Sequence, residues 1–556
     1  MKNIIRDLID AHLKDFSKQA GILLPSDFQY DLEQPKRKEH GDVACNFAFR
    51  LAKAVNQNPV EVAKKARDYF SEIVKKEAHF SKAVRDIQVA GPGFLNFFLT
   101  ENVMTEILKT IWSEGEKYGA SDFGKGEKVI IEYVSANPTG PLTIAHGRQA
   151  VVGDTLANLL LKTGYQVFRE YYLNDRGVQI QILGLSVYIR YLELAGIKKQ
   201  FPENGYQGAY IGDLAKQVFD NNGRKYAEMS EEKALEFFSK YAADTILEDI
   251  RNDLARVGVK FDSYFSEQTL GEKKLIDHVL KKLKDKGYTY EREGALWFNS
   301  TAFGDDKDRV LIKSNGEYTY LTPDIAYHEE KFKRGFHRII NFWGPDHHGY
   351  VPRVKAACQA LGYNADQVNV LIVQLTTLFR NGEPVRMSTR AGEFVTLKEL
   401  MDEVGVDATR FFFLMRKIES HLDFDLELAK QKSDENPVYY VQYAHARICN
   451  ILKFSEMPID ANADLSLIKE PEELDVIKLL SSFTENLNQS AQYLEPYRVI
   501  DYLRELSATF HKFYAKHRVV NPDPELSKAR LFLVACVRRV LANGLQILGV
   551  SQPEKM

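Results

Sequence analysis

The stretch Val129–Leu173, VIIEYVSANPTGPLTIAHGRQAVVGDTLANLLLKTGYQVFREYYL, decides the fold. VIIEYV is a short β-rich run of the kind that forms a buried strand. Val152, Leu156, Leu159 and Leu160 then recur at helical spacing, Gly164 suits a helix C-terminus, and VFREYYL is strand-like again. Strand, loop, helix and strand in that order predict a parallel sheet, in which ligands sit at the carboxyl ends of the strands. The segment Ser135–Arg148, SANPTGPLTIAHGR, falls at that end. Unpaired backbone N–H groups and the helix dipole attract phosphate there. Gly140 and the two prolines shape a tight approach. His146 either donates to phosphate oxygens, stabilising charge during phosphoryl or nucleotidyl transfer, or serves as a helix cap alone.

Outward from this unit the chain divides into three expected domains. Residues 1–115 read as a small α+β domain: an opening amphipathic helix, a basic turn QPKRKEHGD, a helix carrying Phe47, Leu51 and Ala54, and VAGPGFLNFFL as a strand entered through Gly-Pro-Gly. A helical linker with Ile107, Ile111 and Trp112 follows. Residues 116–435 form the α/β domain, interrupted at about 178–298 by a helical, charged insertion between two halves of the sheet. Sheet signals resume with RVLIK, EYTYLT, RIINFWG and VNVLIVQL. Thr396 and Glu399 form a capping box. Residues 436–556 predict an all-α bundle through Leu474, Ile477, Leu480, Phe483 and Leu487, then Leu503, Leu506, Phe510 and Phe513, then Val540 and Leu548.

Composition narrows the function. Hydrophobic residues at 44% of 556 describe a globular protein, and a net charge of −3 means that a polyanionic partner must be met by local basic patches. Four scattered cysteines with no CxxC pair offer neither a zinc cluster nor a disulfide framework, which fits a reducing cytoplasm. The N-terminus lacks a signal-type apolar region, and the expectation is that no apolar run is long enough to span a bilayer. The reading is a soluble, unprocessed monomer. Gly119–Gly126 nearly spells a P-loop, but it precedes its strand and Gly126 replaces the Ser/Thr, so it reads as linker.

Three further segments carry chemistry. NGEPVRMSTRAGEFVTL, Asn381–Leu397, is a glycine-flanked loop whose Arg386 and Arg390 either swing cations onto a triphosphate or stay solvated. In WGPDHHGY, Trp343–Tyr350, Asp346 takes ribose hydroxyls beside His347 and His348, or the three bind a metal that lacks an evident fourth ligand. YHEEKF fails as a zinc helix because Phe332 stands where the second histidine belongs. In YTYLTPDIAYH, Tyr320 and Asp324 flank Pro323 at an expected strand end. With Glu132, either two carboxylates face one cationic ligand, for which a guanidinium fork is matched, or each acid is an ordinary surface or capping residue.

Together these segments resemble class I aminoacyl-tRNA synthetases, and most closely the arginyl-tRNA synthetases of bacterial type. HGDVACNFAFRLAK, EYVSANPTGPLTIAHGR, REYYLNDRGVQ, FGDDKDRVLIKSNGEYTYLTPDIAYH, WGPDHHGYVPR, GVDATRFFFLMRK, SHLDFDLELA and ENPVYYVQYAHARI match in order over nearly the whole chain. The resemblance implies a Rossmann catalytic domain that joins arginine to ATP, releasing pyrophosphate, and passes arginine to the terminal adenosine of its tRNA. It implies Mg²⁺ with the ATP, no dedicated protein metal site, no editing domain, and a need for tRNA even in the first step. Ala136 to His146 falls on the HIGH signature, and Arg386, Met387, Ser388 and Thr389 on the KMSKS loop. Ala136, Pro138, Gly140, Thr143, His146 and Gly147, with Gly344, Asp346 and His347, are then the ATP residues. Glu132, Asn137, Tyr320 and Asp324 match the arginine pocket, which should reject lysine because an ammonium cannot satisfy two acceptors in one plane. The N-terminal domain resembles the added domain that touches the tRNA corner, and the C-terminal bundle the anticodon-binding domain. Tyr439, Tyr440, Tyr443, His445 and Arg447 are its stacking or phosphate partners, or else core. Two departures stand out: Thr143 replaces the first histidine of HIGH, and Arg386 and Thr389 replace the lysines of KMSKS. A tRNA-binding paralogue with impaired chemistry is therefore the second reading.

Overall fold

The computed structural model describes residues 2–33, 35, 37–175, 177–385 and 395–556. At its centre lies a sheet of five parallel strands: β1 (Lys128–Glu132), β2 (Gln166–Leu173), β3 (Ser263–Ser266), β4 (Arg338–Trp343) and β5 (Val368–Ile372). Their order is β5-β4-β1-β2-β3, so the winding reverses between β1 and β4, where a Rossmann sheet opens a crevice. β1 is apolar without alternation because both faces are covered. Val129 and Ile131 enter the main core, and Ile130 joins Phe332, Ile339 and Val354 on the other side.

Helix α1 (Ile144–Lys162) carries β1 to β2 and buries Val152, Leu156, Leu159 and Leu160 as the spacing predicted. Gly164 follows it at φ +90°, where a Cβ would stand 2.7 Å from the Ser121 carbonyl oxygen. Both the left-handed backbone and the close approach require glycine. In the second turn, the fully buried Arg148 donates to the carbonyls of Gln374 at 2.8 Å and Lys417 at 3.0 Å. These bonds clamp α1 to the chain beyond β5.

The region 178–298 departs from the expected helical insertion. Helices Val178–Leu194, Ala209–Asn222 and Glu231–Arg256 are present, but β3 lies inside the range as a strand of the central sheet. Thr289–Arg292 and Ala295–Phe298 pair with Arg309–Ile312 in a separate antiparallel sheet. RVLIK is thus a strand outside the parallel sheet. EYTYLT is not a strand, because Leu321 opens helix α2 (Leu321–Lys333) with Tyr320 as its N-cap.

In the N-terminal domain, Lys2–Ala20, Phe47–Ala54 and Pro59–Lys76 accompany a four-stranded antiparallel sheet. VAGPGFLNFFL is the end of a hairpin there, with Val84–Ala90 and Phe94–Leu99 on either side of the glycine turn. The linker helix Glu101–Glu114 joins the C-terminal bundle: Trp112 meets Phe532 edge-on at 5.6 Å, and Asn543 Nδ2 donates to the carbonyls of Gly115 and Tyr118, each at 3.0 Å.

The bundle comprises Pro437–Phe454, Pro471–Tyr493, Tyr497–Lys516 and Pro524–Leu548. The last of these corrects the expectation that no apolar run is long enough for a bilayer: it is, by length and composition. Most of that helix is buried, so it is a core helix. Arg410, 1% exposed, fastens the bundle to the α/β domain. It donates to the carbonyls of Leu548 and Val257 and to Asp154 on α1, each at 2.7 Å.

Candidate active site

At the carboxyl edge of β1 the chain turns through two strained residues, Val134 at φ +67° and Ser135 at φ +43°. A β-branched residue in the left-handed region is costly and persists only where its surroundings hold it, as they do at functional turns. The turn brings the Ser135 hydroxyl to Glu132 Oε1 at 3.2 Å. Beyond it, Tyr171 donates to the Ala136 carbonyl at 2.7 Å and Tyr210 to the Thr139 carbonyl at 2.8 Å. Asn137 Nδ2 donates to Gln179 Oε1 at 2.7 Å. Gln179 and Tyr210 belong to the helices after β2, so the inserted region props the loop.

At the start of α1, the Thr143 backbone N–H donates to His146 Nδ1 at 3.2 Å, and the Thr143 hydroxyl lies 3.2 Å from the same nitrogen. Nδ1 is therefore the acceptor, and the ring proton sits on Nε2. Burial pushes the His146 pKa down to about 4, so the imidazole is neutral at physiological pH. Capping and donation, alternatives in the sequence, are compatible: Nδ1 caps and Nε2–H remains a donor. Thr143 also forms an antiparallel bridge with Thr396, and Leu397 N donates to the Leu142 carbonyl at 2.8 Å. Gly147 fits closely under Leu397, whose Cδ1 would lie 2.7 Å from a Cβ. The predicted capping box of Thr396 and Glu399 is present. Arg386, Met387, Ser388, Thr389 and Arg390 lie outside the described residues.

A polar row crosses the sheet beside this loop. Asn341, Glu132 and Glu170 are register neighbours on β4, β1 and β2, so their side chains share one face. Tyr327, His328, Lys331 and Arg334, at helical spacing on α2 and at its end, answer them. Glu170 accepts from Tyr327 at 2.7 Å and Arg334 Nη2 at 2.8 Å on Oε1 and from Arg334 Nη1 at 2.7 Å on Oε2, so a guanidinium fork already engages both of its oxygens. Glu132 receives Lys331 Nζ on Oε2 at 2.5 Å and, on Oε1, the Ser135 hydroxyl. A carboxylate oxygen accepts about two hydrogen bonds, so Oε1 keeps capacity toward the crevice.

Asp324 Oδ2 accepts from Tyr350 at 2.7 Å. Burial pushes its carboxyl up to about 7, reinforced by the charges of Glu132 and Glu267 and opposed by the Tyr350 hydroxyl and Lys331. Glu267, just past β3, is also raised, chiefly by burial. No sequence motif pointed to Glu267 or Lys331. Tyr320, by contrast, is 86% exposed at the mouth of α2, one turn from Asp324. Its expected place at a strand end is corrected by the helix. Gly344 follows β4 directly, and Asp346 and His347 are exposed beyond it with their side chains 3.3 Å apart. Among the described residues no group of three or more His, Cys, Asp or Glu could hold a metal ion.

On the bundle, Tyr439 stacks on Tyr443 with centroids 5.9 Å apart, and the Arg447 guanidinium lies 4.5 Å from the Tyr443 centroid. Tyr440 meets His511 at 5.1 Å. His445 does not join them: it is 5% exposed and its Nδ1 is 3.0 Å from the Pro553 carbonyl, so its expected contact with nucleic acid is corrected to a core hydrogen bond.

A reversing parallel sheet, with a signature loop and a Gly-x-Asp turn at its carboxyl edge, is the catalytic domain of a class I aminoacyl-tRNA synthetase. Family models agree, matching the arginyl tRNA synthetase N terminal domain at residues 3–99, the class I (R) tRNA synthetase catalytic domain at 107–421 and the DALR anticodon binding domain at 441–556. The chain is 48% identical over 560 residues to arginine--tRNA ligase 1 of Halalkalibacterium halodurans, covering 100% of this chain and 99% of that one. It is 49% identical over 531 residues to the arginine--tRNA ligase of Geobacter sp. strain M21, covering 95% of each. A solved putative arginyl tRNA synthetase from Campylobacter jejuni superposes with TM-score 0.77 at 36% identity, covering 82% of this chain and 100% of that one. The Thermus thermophilus arginyl-tRNA synthetase shares the fold over 100% of both chains, with TM-score 0.77 at 21% identity. The chain belongs to the arginyl-tRNA synthetase family, and its reaction is the charging of tRNA with arginine. Nothing in these comparisons supports the impaired-paralogue reading. A further departure lies at the third position of HIGH, where the exposed Ala145 replaces the glycine of the signature.

Proposed function

We propose that arginine is read by Glu132 and Asp324, with Asn137 and Tyr320 at the mouth of the same crevice. The observation that carries this is the contrast with Glu170, whose two oxygens are both engaged by the Arg334 guanidinium: Glu132, on the same face, has only the neutral Ser135 hydroxyl on Oε1, and among the described residues one side-chain donor, Tyr350, reaches Asp324. Two such carboxylates suit a planar guanidinium. ATP lies along Ala136, Pro138, Gly140, Thr143, His146 and Gly147, its ribose toward Gly344, Asp346 and His347. Mg²⁺ arrives chelated to the phosphates and supplies charge neutralisation.

In this reading a carboxylate oxygen of arginine attacks the α-phosphorus of ATP, and pyrophosphate leaves. His146 Nε2–H and the first-turn backbone N–H groups of α1 stabilise the charge that develops. Arg386, Met387, Ser388 and Thr389 act on the departing pyrophosphate. A hydroxyl of the terminal adenosine then attacks the activated carbonyl and releases AMP. Residues 1–115 contact the tRNA corner, 116–435 perform the chemistry, and 436–556 bind the anticodon arm through Tyr439, Tyr440, Tyr443 and Arg447. The protein works as a cytoplasmic monomer.

The test is pyrophosphate exchange with the Glu132→Gln enzyme in the presence of tRNA. The arginine KM should rise about tenfold or more, the cost of one charge-assisted bond, with the ATP KM within about twofold. Equal rises in both would overturn the pocket assignment.

A further inference from the structure

Lys331 has no solvent exposure, yet it carries an ammonium. Burying such a charge is costly unless it is paired and hydrogen-bonded. Its partners are specific: Glu132 Oε2 at 2.5 Å, Asn341 Oδ1 at 3.0 Å and the face of Tyr327 at 4.0 Å. The chain of bonds continues. Asn341 Oδ1 accepts from Lys331, so its Nδ2 is the donor to His328 Nε2 at 2.8 Å. Nδ1 of that histidine then carries the proton and donates to the Asp324 backbone carbonyl at 2.8 Å. Every donor in this line has a defined direction, and its two ends are Glu132 and the backbone of Asp324.

We propose that Lys331 is a positioning residue for arginine selection: by holding Glu132 Oε2 within the buried line that ends on Asp324, it leaves Oε1, which receives only the neutral Ser135 hydroxyl, as the oxygen of that carboxylate offered to a cationic ligand. The inference rests on the arginine-pocket reading above. Three features carry it. Glu132 and Asn341 are register partners, so Lys331 bridges two strands at the switch point and fixes the Glu132 carboxylate against rotation. Glu132, Glu267 and Asp324 stand close enough for the first two to disfavour ionisation of the third, and Lys331 is the cation placed among them. Finally, the neighbouring Glu170 is served by Arg334 through both oxygens. A fork at position 331 would engage both oxygens of Glu132, as Arg334 engages those of Glu170, whereas the ammonium engages one.

The experiment is a double-mutant cycle on the full-length enzyme, read by pyrophosphate exchange with tRNA present. Lys331→Met alone should raise the arginine KM about tenfold, with kcat and the ATP KM within about threefold. In the Glu132→Gln background, Lys331→Met should add no more than about twofold, because the two act as one unit. A purely structural lysine would raise both KM values together or multiply with Glu132→Gln, and either result overturns the proposal. If Lys331→Met does not accumulate as folded protein, Asn341→Ser loosens the ammonium without removing it. It should raise the arginine KM at least about threefold and spare ATP; no arginine effect overturns the proposal. Should Glu132→Gln itself leave the arginine KM unchanged, the pocket reading fails; should it raise the KM while Lys331→Met does not, this inference fails alone.

Discussion

Replacing Asp324 by asparagine should make the protein more stable and a poorer enzyme. Burial lifts the Asp324 carboxyl from 3.8 to about 7. The folded state therefore retains a proton that the unfolded chain releases, and stability falls as pH rises through that window. At about 1.36 kcal/mol for each pH unit separating the two values, the ionised carboxylate costs about 4 kcal/mol at pH 8 and under about 2 kcal/mol at pH 5. The neutral amide of Asp324→Asn carries no such cost while still accepting from Tyr350, so the substrate-free variant should unfold later than wild type at pH 8, with the gap narrowing towards pH 5. Function moves the other way. Losing a charge-assisted bond of about 1.5–3 kcal/mol raises the arginine KM roughly 10- to 150-fold. The wild-type arginine KM should also fall about tenfold between pH 6 and pH 8 as Asp324 ionises, a dependence that the variant lacks. Thermal unfolding across pH and pyrophosphate exchange at varied arginine and ATP measure both arms. A variant less stable than wild type at pH 8, or one whose arginine and ATP KM values rise together, would refute the reasoning.

Other perturbations probe the scaffold. Arg410→Met strands the buried Asp154 and the carbonyls of Val257 and Leu548; it should cost about 3–5 kcal/mol in urea unfolding, and a loss under about 1 kcal/mol contradicts the clamp. Tyr210→Phe removes the hydroxyl that holds the Thr139 carbonyl. It should raise the ATP KM about fivefold, in line with about 1 kcal/mol per hydrogen bond, and an unchanged value means that the helices after β2 do not support the loop. Thr143→His should leave exchange within about threefold, since the Thr143 backbone already sets the His146 tautomer and its hydroxyl is worth about one neutral hydrogen bond. A tenfold gain would identify a compromised donor.

The β1–α1–β2 unit was legible because a run of valine and isoleucine followed by leucines at helical spacing admits one reading. β3 was not: SYFS is four residues long, too short for a periodic signal, and it sits between helices. EYTYLT looked extended because tyrosine and threonine favour strands, yet tertiary packing begins a helix at Leu321. The two acids proposed for the arginine pocket, Glu132 and Asp324, stood out through their chemistry and the family resemblance. Lys331, Asn341 and His328 did not, since the register of β4 on β1 and the position of α2 are what bring Lys331 and Asn341 beside Glu132 and His328 against Asn341. Glu267 follows a strand that had no signal. His445 shared its helical spacing with tyrosines that are half-buried, whereas it is itself buried and meets the C-terminal tail at the Pro553 carbonyl.

The central claim is that paired acids at the carboxyl edge of β1 select arginine for adenylate formation. Its most direct test is pyrophosphate exchange with the purified protein, arginine or lysine, and the arginine-accepting tRNA present or absent. Exchange is predicted with arginine plus tRNA, and no exchange with lysine; silence with arginine and its tRNA, or comparable exchange with lysine, would contradict the account.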